Sequence, residues 1–301
     1  MIQPDYLKPG DTIAILAPAR KVSAEEMQPS ISKLKEWGFH VICSEHMFGD
    51  FNQYSGTDAE RVSDFQKMID HPEVKAILCG RGGYGIIRII DKINFTSFQK
   101  NPKWICGFSD VTVLHAHINQ CMNTETLHCA MPINFPVDGS NNEAILSLKN
   151  VLTGEKLSYH FPENKHNKKG NAKGILVGGN LSLLYALQGS CSFPDTENKI
   201  LFIEDLDEYL YHIDRMMVSL KRAGKLKNLA GLVIGGMTEM KDNTVPFGKT
   251  PEEIIMDAVS EYQFPVCFDF PAGHIPDNNA MIMGRNVNLE VCNDLTTLKF
   301  D

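Results

Sequence analysis

The stretch KWICGFSDVTVLHAHI, residues 103–118, places an apolar run, a serine and an amphipathic run in direct succession. The first run is typical of a buried strand, and the second has the spacing of a helix. Ser109 lies at the junction, where a serine commonly caps the helix that follows. A nucleophile held at a sharp turn occupies the same kind of position. The stretch therefore predicts a strand–helix unit and leaves two roles open for Ser109.

The same alternation of strand and helix patterns extends over the first 130 residues. Both of the long helical patterns begin with a capping box, in which a serine or threonine is followed three residues later by glutamate. Apolar strands that alternate with amphipathic helices predict a parallel sheet covered on both faces. The predicted strands are 12–18, 39–44, 74–80 and 103–109, and the capped helices are 23–38 and 57–69.

The second half of the chain repeats this pattern after a change of composition. Residues 136–172 are rich in Pro, Gly, Asn and Lys around one predicted helix, and we interpret them as a connecting segment. Further strands and helices follow, and the last twenty residues are typical of an antiparallel pair. We predict an α/β protein with one domain over 1–135 and a second domain, with extra β structure, over 173–301.

Composition excludes several classes of protein. With 43% hydrophobic residues the chain can form a large core, and its net charge of −8 argues against a nucleic-acid partner. The apolar run 13–19 is too short to cross a bilayer, and it follows Asp11 rather than a basic segment, so we expect neither a membrane anchor nor a signal peptide. Eight cysteines without a C-x-x-C pair indicate buried, reduced thiols in a cytoplasmic protein.

Residues 80–85, GRGGYG, form a glycine loop between a predicted strand and a predicted helix over 84–93. The loop matches the dinucleotide-binding pattern G-x-G-x-x-G, which makes a nucleotide-binding α/β protein one alternative. However, it follows the third strand rather than the first, and no acidic residue ends a strand about twenty residues later. A glycine loop can instead present backbone N–H groups to an oxyanion. Four glycines in six residues exceed what a tight turn requires.

Acidic residues and a histidine follow two strands of the second half. The run LFIEDLDEYLYHIDRMM, residues 201–217, contains Glu204 at the end of its apolar part, together with Asp205, Asp207 and Glu208. These acids could form a solvated loop, bind a divalent cation, or supply Glu204 to orient a histidine. His274 follows another predicted strand, PVCFDF over 265–270, in a Pro- and Gly-rich loop. His115 and His117 lie two apart on a predicted helix and face different ways, so we expect no H-x-H zinc site there.

Ser109, Glu204 and His274 each lie at the end of a predicted strand. A serine hydroxyl needs a base to remove its proton, and an imidazole serves best when a carboxylate fixes its tautomer. The hydrolase turn G-x-S-x-G is matched only at Gly107, because Val111 stands at its second glycine. Two domains that meet at their strand ends could nevertheless bring the three side chains together. These residues predict a serine hydrolase.

Six stretches in order give the chain a resemblance, over nearly its whole length, to the LD-carboxypeptidase family of serine peptidases. The resemblance implies a flavodoxin-like N-terminal domain, a swivelling C-terminal α/β domain and a homodimer. It implies no metal and no cofactor. The stretches are LKPGDTIAILAPA (7–19), RGGYG (81–85), GFSDVTVLH (107–115), GGNLSLL (178–184), LFIEDLDEYLYHIDRM (201–216) and PAGH (271–274).

The resemblance also implies a catalytic triad, which falls on the three strand-end residues Ser109, Glu204 and His274. It implies an oxyanion hole of backbone N–H groups, which we assign to Gly83 and Asp110, with Gly82 as an assisting donor. An exopeptidase must further bind the free carboxylate of its substrate, usually through an arginine. Arg81 and Arg88 are the candidates for this role.

The substrate implied by the resemblance is a small peptide. The main activity of the family is release of the terminal D-alanine from murein tetrapeptide during cytoplasmic cell-wall recycling. A second branch cleaves a peptidyl-aminoacyl nucleotide, the antibiotic microcin C, and stacks the base on a tryptophan of the inter-domain region. This chain has only Trp37 and Trp104, both in its first half, which favours the cell-wall substrate.

Overall fold

The structure, a computed structural model, describes residues 1–301 and contains two sheets flanked by helices. None of its helices combines the length and the apolar character needed to cross a membrane. The strands are β1 Thr12–Leu16, β2 His40–Cys43, β3 Val74–Cys79, β4 Trp104–Gly107, β5 Thr126–His128, β6 Ser158–Pro162, β7 Gly170–Asn180, β8 Ile200–Leu206, β9 Gly231–Thr238, β10 Val266–Cys267, β11 Met281–Met283, β12 Asn286–Val291 and β13 Leu295–Phe300. The helices are α1 Ala24–Glu36, α2 Asp58–Asp70, α3 Thr96–Lys100, α4 Thr112–Met122, α5 Glu143–Leu152, α6 Leu181–Leu187, α7 Leu210–Arg222 and α8 Pro251–Val259.

The first sheet has the strand order β11-β5-β4-β3-β1-β2, and all its strands are parallel except β11. The predicted parallel sheet is confirmed, and both predicted capping boxes are present, on α1 and α2. Because β3 and β4 are neighbours, the segments that follow them emerge side by side at one edge. These segments are the glycine loop and Ser109.

The second sheet has the order β10-β9-β8-β7-β12-β13-β6. Its first four strands are parallel, and the remaining three pair antiparallel. The predicted antiparallel pair at the end of the chain is confirmed as β12 and β13. Glu204 lies in β8, and His274 lies in the loop after β10, so both come from the parallel part of this sheet.

Two predicted elements are wrong. The helix expected over 84–93 is replaced by two short 3₁₀ turns, at Ile86–Arg88 and Ile90–Lys92. Five β-branched isoleucines make this run a poor helix former, and the Ile86 N–H donates to a side chain of a neighbouring turn. The strand expected over 265–270 is only Val266–Cys267, because the Phe268 N–H donates to a side chain and Asp269 has a φ of 59°.

The two sheets are joined where α4 packs on the end of β7. The Asn180 N–H donates to Thr112 Oγ1 at 2.9 Å. At Gly179 any Cβ would lie 2.5 Å from the same oxygen, so only glycine allows this approach. Two clusters of buried apolar side chains, of 44 and 40 residues, each draw on both sheets. The strand ends of the two halves are therefore held against each other.

The domain limits remain a prediction. Strand β6 lies within the predicted connecting segment and pairs with β13 of the second sheet. Strand β11 lies within the predicted second domain and pairs with β5 of the first sheet. The connecting segment thus contributes a strand to the second sheet, and the predicted second domain contributes a strand to the first sheet.

Candidate active site

Ser109 has a strained backbone at the carboxyl end of β4. Its φ of 64° lies in the left-handed region, which is uncommon for residues other than glycine. Its side chain makes no capping hydrogen bond to the 3₁₀ turn Ser109–Val111 or to α4, whose N-cap position is Val111. The helix-cap role is therefore not observed. A strained, half-buried serine at a strand-to-helix turn is the geometry of a nucleophile.

The glycine loop passes directly over Ser109. A Cβ on Gly82 would lie 2.9 Å from Ser109 Cβ and 3.1 Å from Ser109 Oγ, so this position has no room for a side chain. Gly83 has a φ of 109°, and its N–H has no hydrogen-bond acceptor within the chain. The side chain of Arg20 packs against the Gly83 backbone. The Gly83 N–H is thus available to a ligand beside Ser109.

Two charged side chains hold the glycine loop from behind. Asp110 is fully buried, and its Oδ2 accepts a hydrogen bond from the Ile86 N–H at 2.9 Å. Burial raises the pKa of Asp110 to about 6, against the opposing effect of backbone hydrogen bonds and of Arg61. Arg61 is also buried and donates to the Gly85 carbonyl at 3.0 Å and to the Pro18 carbonyl at 2.6 Å. Both groups fix the loop relative to Ser109.

Glu204 and His274 form a hydrogen-bonded pair. Glu204 is fully buried, and its Oε2 lies 2.6 Å from His274 Nδ1 and 3.2 Å from the His274 backbone nitrogen. The intervening Gly273 has a φ of 104°, and a Cβ there would lie 2.8 Å from Glu204. Burial lowers the pKa of His274, but the Glu204 hydrogen bond and charge outweigh it, so the pKa lies above the usual value. With Nδ1–H donated to Glu204, the free nitrogen of the ring is Nε2.

The structure brings the His274 ring of this pair against the residue that precedes Ser109. Phe108, its neighbour in the chain, packs edge-on against the His274 ring with 4.8 Å between the ring centroids. The Ser109 hydroxyl and the imidazole make no hydrogen bond in this structure; such bonds often form only when substrate is bound. All three predicted triad residues therefore lie in one region, at the junction of the two sheets.

The loop that carries His274 is fixed by a buried amide. Asn278 Oδ1 accepts from the Gly273 N–H at 2.8 Å and lies 3.2 Å from His128 Nε2. Burial lowers the pKa of His128 to about 3, so its ring is neutral and can donate this bond. Because His128 ends β5, Asn278 ties the His274 loop to the first sheet. Sequence patterns gave no indication of this link, which spans 150 residues.

The acids beside Glu204 have separate partners. Asp205 is buried and accepts hydrogen bonds from Asn180 Nδ2 and the Ser182 N–H, both at 2.9 Å, which caps α6. Burial, together with the nearby Glu204, raises the pKa of Asp205 to about 7. Asp207 pairs with Lys241, and Glu208 pairs with His212. Because these carboxylates point to different partners, they do not form a cation site.

The predicted carboxylate-binding arginines lie on the N-terminal half. Arg81 lies 3.7 Å from Glu26 and lines an open cavity of about 480 Å³ that Arg20 and Lys21 also line. Arg88 instead makes two hydrogen bonds to Asp58, at 3.0 and 2.8 Å. Arg20, which sequence patterns did not single out, connects this cavity to the glycine loop through its contact with Gly83.

The expectation that the cysteines are buried holds for half of them. Cys79, Cys106, Cys129 and Cys267 are buried, whereas Cys43, Cys121, Cys191 and Cys292 are exposed, and all eight are free thiols. The exposed cysteines lie on a strand edge, in turns and at a helix end. The short apolar runs in the sequence did not indicate which of the cysteines would be exposed.

Comparison with known proteins gives matches along most of the chain. The sequence profile of the LD-carboxypeptidase N-terminal domain matches residues 13–129, which contain Ser109. The profile of the LD-carboxypeptidase C-terminal domain matches residues 173–289, which contain Glu204 and His274. A probable murein peptide carboxypeptidase of Bacillus subtilis (strain 168) is 33% identical over 289 residues, covering 94% of this chain and 89% of the relative.

Solved structures share the whole fold. The crystal structure of muramoyltetrapeptide carboxypeptidase from Oxalobacter formigenes has a TM-score of 0.87 and 26% identity, covering 96% of this chain and 98% of that one. The microcin C7 self-immunity protein MccF, in complex with aspartyl sulfamoyl adenosine, has a TM-score of 0.88 and covers 99% of this chain and 98% of its own. Its identity of 20% shows a common fold only.

Proposed function

We propose that this chain, which belongs to the LD-carboxypeptidase family and is a serine-type carboxypeptidase, removes the terminal D-alanine from murein tetrapeptide. The observation that carries the proposal is the strained Ser109, which caps no helix and follows Phe108, whose ring packs on an imidazole held by a buried carboxylate. Relatives named murein peptide carboxypeptidase and muramoyltetrapeptide carboxypeptidase support this substrate.

In the proposed reaction His274 is the general base and Ser109 is the nucleophile. The Nδ1–H of His274 donates to Glu204, so the lone pair on Nε2 can accept the proton of the serine hydroxyl. The serine oxygen then attacks the carbonyl carbon of the bond before the terminal D-alanine. The imidazolium that forms is stabilised by the buried Glu204 carboxylate.

The developing oxyanion needs donors that are already in place. We assign this role to the N–H groups of Gly83 and Asp110, with Gly82 as the assisting donor. The Gly83 N–H has no other acceptor, and the Asp110 side chain and Arg61 hold the loop in register with Ser109. His274 then gives its proton to the amine of D-alanine, which leaves, and water releases the acyl group by the same route.

The terminal carboxylate of the substrate requires a cation. Arg81 is the better of the two predicted candidates, because two nitrogens of the Arg88 guanidinium already donate to the Asp58 carboxylate. Arg20 is a further candidate, since its side chain lies against Gly83 and lines the same cavity as Arg81. We also propose a cytoplasmic location and a homodimeric assembly, as in the family.

Cleavage of a peptidyl-aminoacyl nucleotide is the second candidate function. The fold shared with MccF makes it possible, and MccF itself was crystallised with aminoacyl sulfamoyl nucleosides. Trp104 is fully buried and Trp37 packs against Phe135 in the first half, so neither tryptophan is free to stack on a base in the second half. The glycine loop is followed by a short 3₁₀ turn rather than by an α-helix. The loop therefore lacks the helix N-terminus on which a dinucleotide-binding loop places the phosphates, which argues against nucleotide binding there.

The test is incubation of the protein with murein tetrapeptide, followed by mass spectrometry for the loss of one alanine. We expect turnover by the unmodified protein and a loss of at least about 10³-fold in Ser109→Ala. Ser97→Ala is the matched control, because Ser97 is an exposed serine of the same half. Undiminished activity in Ser109→Ala would refute the nucleophile, and turnover of only an aminoacyl nucleotide conjugate would favour the second candidate.

A further inference from the structure

A second cluster of reactive side chains lies apart from the catalytic residues. His117 and Cys121 lie four residues apart on α4 and therefore share one face of the helix, and Cys191 lies in the turn after α6. One ring nitrogen of His117 and the two sulfurs all lie within 4.8 Å of one another. None of these residues has a part in the proposed reaction.

We propose that His117, Cys121 and Cys191 bind one Zn²⁺ ion, whose fourth position is taken by solvent. Imidazole nitrogen and thiolate sulfur are the preferred ligands of zinc. Tetrahedral Zn–N and Zn–S bonds of about 2.0 and 2.3 Å place the ligand atoms about 3.5–3.8 Å apart. The three atoms already lie within 4.8 Å of one another, so binding requires them to approach by about 1 Å.

The surroundings hold the histidine in position before an ion binds. His117 Nδ1 lies 2.9 Å from Ser192 Oγ, and the ring packs on Phe95 with 5.2 Å between centroids. A second contact holds the segment after Cys191 to α4, because the Asp195 N–H donates to Gln120 Oε1 at 2.9 Å. The contact with the Ser192 hydroxyl fixes the orientation of the ring.

The protonation state of the imidazole suits a metal ion, whereas burial and the nearby Cys191 raise the pKa of the Cys121 thiol, which must lose its proton on binding. Burial lowers the pKa of His117, so the imidazole is neutral and has a lone pair to offer. Both sulfurs are exposed, which gives the ion access from solvent. In the free protein the Cys121 thiol donates weakly to the Cys191 carbonyl at 3.4 Å. On binding, each thiol releases its proton to solvent and its sulfur forms a bond to the ion.

The bound ion would link the two halves of the protein. Cys121 ends the helix that follows Ser109, whereas Cys191 follows the helix that begins at the end of β7. The two cysteines are 70 residues apart in the chain, so the unfolded protein does not present this set of ligands at one point. An ion that binds only the folded chain stabilises it in proportion to its occupancy. The site is structural, and catalysis does not depend on it.

The test is Co²⁺ titration of the full chain, reduced with a phosphine under argon, alongside metal analysis after Zn²⁺ loading and gel filtration. We expect one ion per chain and, for Co²⁺, a thiolate-to-metal charge-transfer band in the near ultraviolet. Cys121→Ser and Cys191→Ser should each weaken Co²⁺ binding at least tenfold and abolish the rise in melting temperature on adding Zn²⁺. Cys292→Ser, at another exposed free thiol, is the matched control and should behave as the unmodified protein.

Several results would overturn the site. Co²⁺ uptake without the charge-transfer band places the ion on groups other than these thiols and overturns the proposal. Equal affinity in Cys121→Ser, or no uptake at all, rejects the site directly. A Cys121–Cys191 disulfide that forms in air, with no metal uptake by the reduced chain, shows a redox pair instead. Both cysteine variants should keep full peptidase activity, so the result is independent of the proposed catalytic function.

Discussion

Replacing Glu204 with glutamine should slow catalysis strongly while preserving the fold. The substitution keeps the size of the side chain but removes its charge. In the structure the carboxylate accepts two hydrogen bonds from His274, at 2.6 Å from Nδ1 and at 3.2 Å from the backbone nitrogen. It is fully buried, so water cannot replace it.

The size of the effect follows from these two contacts. A hydrogen bond to a charged group contributes about 1.5–3 kcal/mol, so both together account for about 3–6 kcal/mol. If that stabilisation is realised in the transition state, where the imidazole of His274 is charged, it corresponds to about 10²–10⁴-fold in kcat. The pH profile should change as well. Burial lowers the pKa of His274 and Glu204 raises it, so without the Glu204 charge the pKa of His274 falls.

The assay is the rate of D-alanine release as a function of pH. Because the reaction needs neutral His274, its acid limb in kcat/KM should move to lower pH in Glu204→Gln, while the plateau falls. Asp207→Asn is the matched control: Asp207 is exposed, pairs with Lys241 and has a φ of 60°, which asparagine also tolerates. An unchanged plateau, or an acid limb that moves to higher pH, would refute the pairing of Glu204 with a catalytic His274.

Three further substitutions test the positioning of the site. Gly82→Ala should lower kcat at least about 10²-fold with little change in melting temperature, because its Cβ would lie 2.9 Å from the Cβ of Ser109; normal turnover contradicts this crowding. Asn278→Ala should lower kcat about tenfold or more, because it frees the loop of His274, and a wild-type rate would show that the amide is dispensable. Asp205→Asn should flatten the dependence of the unfolding free energy on pH. The Asp205 carboxyl keeps its proton up to about pH 7 in the folded protein, but only up to about pH 3.8 in the unfolded chain. Rising pH between these values therefore destabilises the unmodified protein. Equal slopes in urea titrations of both proteins would contradict that last prediction.

The strand ends were predictable from sequence because parallel sheets impose a simple rule. Residues at the carboxyl ends of neighbouring strands meet, and this rule alone drew attention to Ser109, Glu204 and His274. The rule does not specify backbone conformation. Nothing in the sequence indicates that Ser109 itself, rather than a glycine, adopts a positive φ.

The supporting residues were not predictable, because their roles depend on tertiary contacts. Arg61 lies within an amphipathic helix, where a charged residue ordinarily faces solvent, yet it is 1% exposed and holds the glycine loop. The Asp110 side chain and the Asn278–His128 contact likewise join segments that are far apart in sequence. Local patterns cannot reveal such partners.

The placement of Met281–Met283 at the edge of the first sheet limits how the protein can be divided. A chain cut after α5, between its two sheets, would give a first piece in which one edge of Thr126–His128 is unpaired, and a second piece in which Met281–Met283 has no sheet. Exposed edges of this kind recruit other strands and promote aggregation. The two pieces would therefore have to be produced together, so that Met281–Met283 can pair with Thr126–His128 as they fold. Any relative movement of the two sheets must also be absorbed in the short segment between His274 and Met281, so the position of the proposed catalytic imidazole depends on both sheets.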